Sequence, residues 1–114
     1  MSETPAFSTS SALDANKNEP FELGQVQWVR RFGEGGRPAL ACGYWHVNPV
    51  EAPEPFDLLI DADETISIIE GHLRIEVEGG DTYDLTPGGA ASFNKGARTK
   101  WEVLAPTVEF FVYS

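Results

Sequence analysis

The clearest pattern in the chain lies at residues 73–78, where Leu73, Ile75 and Val77 alternate with Arg74, Glu76 and Glu78. A period of two sends successive side chains to opposite faces, so this run predicts a half-buried β-strand. Residues 65–69, just before it, form a compact β-branched run, and Glu70-Gly71 is expected to break the chain between the two. Further short apolar runs follow at 82–85, 90–93, 100–104 and 108–113, with Gly79-Gly80-Asp81 and Pro87-Gly88-Gly89 as turns. Upstream, residues 39–48 read as a strand with Tyr44, Trp45 and Val47, and residues 21–32 form a first ordered run around Trp28. Between them Gly33-Glu34-Gly35-Gly36-Arg37-Pro38 has the composition of a turn. Residues 49–57 hold Pro49, Pro53 and Pro55, which donate no ladder hydrogen bond, and are expected to form an extended loop. No segment shows a capped 3.6-residue repeat. Short strands at roughly eight-to-twelve-residue spacing predict an all-β sandwich or barrel.

Length limits this to one domain. A chain of 114 residues supports a single core. Residues 1–20 are rich in Ser, Thr, Asn, Pro and Ala and read as a flexible N-terminal arm, leaving 21–114 as the folded unit. The single cysteine, Cys42, excludes an internal disulfide framework and a Cys-rich zinc site. No 18-residue apolar run or secretory leader is visible, so the expected setting is the cytoplasm, without a membrane partner.

The formal net charge is −10. It comes from residues 51–84, where eleven acids face Arg74 alone. Such a surface repels polyanions, so no nucleic-acid partner is expected. Most of these acids alternate outward or lie in turns. Glu64 shares a face with Ile66 and Ile68 and is the exception.

The order of several motifs over residues 41–113 resembles the cupins. Gly43-Tyr44-Trp45 is followed by Asp63-Glu64, a strand and Glu70-Gly71, similar to the end of the first cupin motif. Thr86-Pro87-Gly88-Gly89 resembles the turn that opens the second motif, with Gly89 where Asp is usual; Asn94-Lys95-Gly96 stands where Pro-x-Gly is usual. Lys100-Trp101-Glu102-Val103 resembles the Thr-Trp-Glu-Val of the ureidoglycine aminohydrolase cupin-domain family, and the Asp-Glu…Glu-Gly segment is shared with EutQ-type ethanolamine-utilisation cupins.

The resemblance implies a cupin-type jelly-roll β-barrel whose interior binds a small molecule. It places the Glu64–Ile66–Ile68 face inside, and Thr99, Trp101 and Val103 on the facing inner surface. Of the family's metal-ligand positions, only the glutamate is kept, at Glu64. The histidine positions fall on Asp57, Leu59 and Thr99, so no metal ligand set and no cofactor are assigned. A divalent ion held by the oxygens of Glu64, Asp57 and Thr99 stays open as a weak alternative. Trp45 and Trp101 are candidate pocket walls. His46 enters the cavity only if the register turns Trp45 outward, in which case it would partner Glu64. A carboxyl buried beside indoles has its pKa raised toward neutrality, which suits proton transfer. The expected function is binding of a small polar metabolite, with Glu64 as catalytic group of an isomerase, lyase or hydrolase and Trp45, His46, Ile66, Ile68, Thr99 and Trp101 as binding residues. A non-catalytic binding module and a metal-dependent aminohydrolase-like enzyme are the alternatives. A homodimer is expected through the apolar 21–32 segment.

Overall fold

In a computed structural model of the chain, residues 7–114 are described. They form eight strands: β1 (Glu19–Pro20), β2 (Gln25–Arg30), β3 (Ala41–Val47), β4 (Phe56–Leu59), β5 (Glu64–Val77), β6 (Thr82–Leu85), β7 (Ala90–Phe93) and β8 (Arg98–Tyr113). Every pairing is antiparallel. Among the described residues no helix is long and apolar enough to cross a membrane.

Two long strands carry the architecture. β5 and β8 pair along nearly their whole lengths, from Glu64 opposite Tyr113 to Val77 opposite Thr99. The first half of β5 also pairs with β7, and its second half with β6. The second half of β8 pairs with β3, and its first half with β4. One strand pair thus belongs to two sheets, β1-β2-β3-β8-β5-β7 and β4-β8-β5-β6, in the all-β arrangement of a jelly-roll barrel.

The change from one sheet to the other occurs at register shifts between Ile68 and Leu73. Gly71 sits there at φ 97°, a conformation that side-chain-bearing residues rarely adopt. A Cβ at this position would also lie 2.4 Å from the Pro106 carbonyl oxygen. The expected break at Glu70-Gly71 is therefore a bulge inside one strand, because the ladder to β8 continues on both sides of it. In the same way the separate runs at 100–104 and 108–113 are one strand. The Pro-rich loop is shorter than expected: Phe56 and Asp57 lie in β4, since the chain pairs with β8 once the last proline, Pro55, is past.

The core is the inner face of both sheets, including Ile66, Ile68, Leu73, Ile75, Trp101, Val103 and Phe111. Gly43 lies between Trp28 and Phe111 in register. With no side chain between them, the two rings meet edge-on at a centroid distance of 5.7 Å. A Cβ at Gly43 would sit 2.6 Å from the Gln27 carbonyl oxygen and 3.3 Å from the Phe111 ring.

Residues 10–20, read from sequence as part of a loose arm, lie against β2. The Gln27 side chain is fully buried on the outer face of the sheet. Its amide donates to Ser10 Oγ (2.6 Å) and the Ala12 carbonyl (2.8 Å), and its Oε1 accepts from the Asp14 N–H (2.9 Å). A buried amide without partners is costly, so this glutamine and the segment over it stabilise each other. Glu19 of β1 is paired with Arg31, whose guanidinium lies 5.6 Å from the Trp28 ring centroid.

Two substitutions test these supports. Gln27→Leu leaves the Asp14 N–H and the Ala12 carbonyl unpaired and should cost roughly 1–3 kcal/mol, read by chemical denaturation. It should also open residues 10–14 to proteolysis. Gly71→Ala meets both a φ penalty and a backbone clash, and should lower stability by about 2 kcal/mol or more. A melting temperature unchanged from wild type would contradict a bulge at Gly71.

Candidate functional site

The inner-face residues of β2, β3, β8 and β5 form successive rows across the first sheet. Val26, Trp45, Glu109 and Ile68 make one row, with Trp45 opposite Glu109 and Glu109 opposite Ile68. Trp28, Gly43, Phe111 and Ile66 make the next. Ala41, Tyr113, Glu64 and Phe93 make a third. Two carboxyl groups and a phenol are thereby carried on an otherwise apolar surface.

Val26, Trp45, Glu64, Glu109, Phe111 and Tyr113 of these rows line a cavity of about 300 Å³. Trp45, Trp101, Phe111 and Tyr113 contribute aromatic walls, with Phe21, Phe32 and Phe56. Leu23, Val26, Leu58 and Ile60 add aliphatic surface, and Glu22, Asp61, Glu64 and Glu109 the acidic groups. Among the described residues no Lys, Arg or His belongs to the lining.

The indoles are fixed by their N–H groups. Trp45 Nε1 donates to the Leu23 carbonyl (2.7 Å), while Trp101 Nε1 donates to Thr99 Oγ1 (2.7 Å), which donates on to the Leu58 carbonyl (2.7 Å). The two rings meet edge-on at 6.0 Å. With their polar edges occupied by the wall, their carbon surface is what remains for a ligand.

The carboxyls are the chemically active part. Glu64 is buried, and loss of hydration, reinforced by the nearby charge of Asp61, pushes its pKa up to about 7. Glu109 is only 2% exposed. Its burial, and secondarily the charge of Glu64, raise its pKa well above the ordinary carboxylate range. Its Oε2 has no hydrogen-bond partner. Burial likewise raises the Tyr113 phenol, with Glu64 and Glu109 adding to the shift, so its hydroxyl stays protonated.

The structure brings Glu64, Trp45 and Trp101 together on the cavity. It does not bring the other expected binding residues to that surface. Ile66 and Ile68 share the inner face with Glu64 but pack into the core away from the cavity lining. Thr99 serves as the relay between Trp101 and Leu58. His46 has Trp45's opposite orientation, since the register turns Trp45 inward. Its pKa is lowered by burial, partly opposed by Glu70 on the outer side, and its Nε2 has no partner. Glu109 and Tyr113 are the residues that sequence reasoning missed. Extending the inward alternation of Thr99, Trp101 and Val103 along β8 reaches both.

The cupin metal positions do not fit a metal here. Leu59 offers no donor atom. Asp57 is exposed on β4, and both roles of the Thr99 hydroxyl are taken by Leu58 and Trp101. Of that set Leu59 and Glu64 line the cavity and only Glu64 brings a donor atom, against the three or four convergent donors a transition metal requires. Among the described residues no cluster of three His, Cys, Asp or Glu is arranged to hold an ion.

Among solved structures, the chain is similar to a putative ethanolamine utilization protein Q from Salmonella typhimurium. The two are 17% identical, the match covers 92% of this chain and 89% of that one, and the TM-score is 0.69. A DUF861 family protein from Thermotoga maritima is 30% identical over 62% of this chain and 76% of that chain, with a TM-score of 0.55. Ectoine synthase from P. lautus, at 18% identity, covers 90% and 71% with a TM-score of 0.68. No curated protein sequence matches the chain. The model of the EutQ-like cupin domain matches residues 34–110, which hold β3 to β7, nearly all of β8 and most of the cavity wall, and the chain belongs to that cupin family.

Proposed function

We propose that the protein binds a small metabolite in the barrel cavity and moves a proton on it with Glu64, without a resident metal. The observation that carries this reading is the placing of the Glu64 carboxyl against the cavity with a pKa of about 7. A group with that pKa accepts or releases a proton at neutral pH with little driving force lost in either direction. The aromatic walls exclude water from the ligand, and the Tyr113 hydroxyl supplies a hydrogen-bond donor beside the reacting carboxyl. A cavity of about 300 Å³ suits a metabolite rather than a polymer. Isomerisation, elimination and hydrolysis all fit a single proton-transferring carboxyl. A purely ligand-binding module is the competing reading, favoured by the low chemical diversity of the lining.

Glu64→Gln separates the two. It keeps the shape of the side chain and removes its proton chemistry. Turnover of a metabolite found by incubating the protein with a cell extract should fall roughly 10²–10⁴-fold, with affinity nearly kept. Undiminished turnover would refute the catalytic role.

The same residue predicts a pH dependence of stability. The folded pKa of about 7 lies above the ordinary value of 4.5, so between these limits the native state binds more protons than the unfolded one. Stability is then highest below pH 4.5 for this group and is lost as pH rises through 7. The loss should reach roughly 3 kcal/mol by pH 8. Denaturation of Glu64→Gln across pH 5–8 should show a flatter profile and higher stability than wild type at pH 8.

A further inference from the structure

The cavity has a charge pattern that proton transfer alone does not require. Among the described residues its ionisable groups are four acids and a phenol, with no basic residue among the lining side chains. Glu109 is buried at 2% exposure, yet its Oε2 accepts no hydrogen bond from the protein. An acceptor removed from water and left without a donor costs free energy unless a ligand supplies the donor. The remaining surface is largely aromatic carbon, with the indole N–H groups turned away into the wall. The negative faces of such rings attract cations.

From these features we infer that the ligand is a small organic ammonium ion, its N–H groups directed to the Glu109 carboxyl and its carbon skeleton against Trp45, Trp101 and Phe111. This names the substrate class of the cavity and rests on its being a ligand site. An anionic ligand would meet four acids and no counter-charge. A quaternary ammonium would leave the Glu109 oxygen without a donor. A bare divalent ion needs about six oxygen ligands, whereas most of this wall is carbon. A primary or secondary ammonium satisfies both the orphaned acceptor and the rings. Raised carboxyl pKa values fit the same picture, because a bound cation restores the ionised form that burial disfavours.

Calorimetric titration with three probes of one shape tests the inference: phenethylammonium, 2-phenylethanol and 3-phenylpropanoate. At pH 8 phenethylammonium should bind at least about tenfold more tightly than the alcohol, the effect of a charge-assisted hydrogen bond. The carboxylate should not bind at about 10 mM, a level where ligands of millimolar affinity register. Glu109→Gln, with its fold checked by near-ultraviolet circular dichroism, should bring the ammonium to within roughly threefold of the alcohol by removing that charged acceptor. If this variant does not fold, the wild-type series decides. The inference is overturned if the alcohol or the carboxylate binds as tightly as the ammonium, or if none of the three binds. Equal binding of all three, with turnover lost in Glu64→Gln, removes the ammonium preference and keeps the proton-transfer reading. Ammonium preference with turnover kept in Glu64→Gln does the reverse.

Discussion

The pairing of β5 with β8 is the constraint on which the rest of the molecule depends. Both strands are long enough to serve two sheets, and they must bend together where they pass from one to the other. The bulge around Gly71 permits this against the Pro106–Thr107 backbone of the partner strand. All the chemically interesting side chains are then fixed by one register. Glu64 faces Tyr113 and Ile68 faces Glu109 because the two strands run antiparallel without slippage over that half. A slip of β8 by one residue would turn Glu109 and Tyr113 outward and bring Phe110 and Val112 in, so the cavity's chemistry and the ladder's alignment cannot be varied separately.

The cavity itself is a compromise between stability and reactivity. Burying a carboxyl among rings is unfavourable for its charged form, and the structure buries two. Neither is neutralised by a basic partner. The cost is carried by core packing elsewhere: Trp28 against Phe111 over Gly43, Phe93 against Trp101, and the aliphatic layer of Ile66, Ile68, Leu73 and Ile75. Sites that keep titratable groups out of water are characteristic of functional surfaces, because packing alone would favour apolar residues of the same size.

Much of this was legible in the sequence. Glycine and proline punctuation marked most of the strands, and the alternation at 73–78 gave a correct face assignment. Motif order gave the family and placed Glu64, Trp45 and Trp101. Glu109 escaped for a physical reason. Residues 108–113 read Val-Glu-Phe-Phe-Val-Tyr, so both faces of that strand look apolar and the alternation carries no sign. Only the continuation from Trp101 through one unbroken strand decides it, and the apparent division near Pro106 hid that continuity. Ile66, Ile68 and Thr99 were placed on the inner face but not separated from the ligand surface, because strand parity says nothing of depth along the barrel. Residues 10–14 have no periodicity because their position depends on three hydrogen bonds to a single glutamine.

The lengths of the strands carry one more consequence. The outermost strands of the two sheets are β1, β7, β4 and β6, of two, four, four and four residues. β1 includes Pro20, which has no amide hydrogen to offer a newcomer. The long strands, with 14 and 16 residues, lie wholly inside. An extended peptide arriving from solution thus finds only brief hydrogen-bonding templates, too short to seed the growth of a fibril. Colloidal safety in this barrel is built into the connectivity of one chain, and the acid-rich surface adds to it.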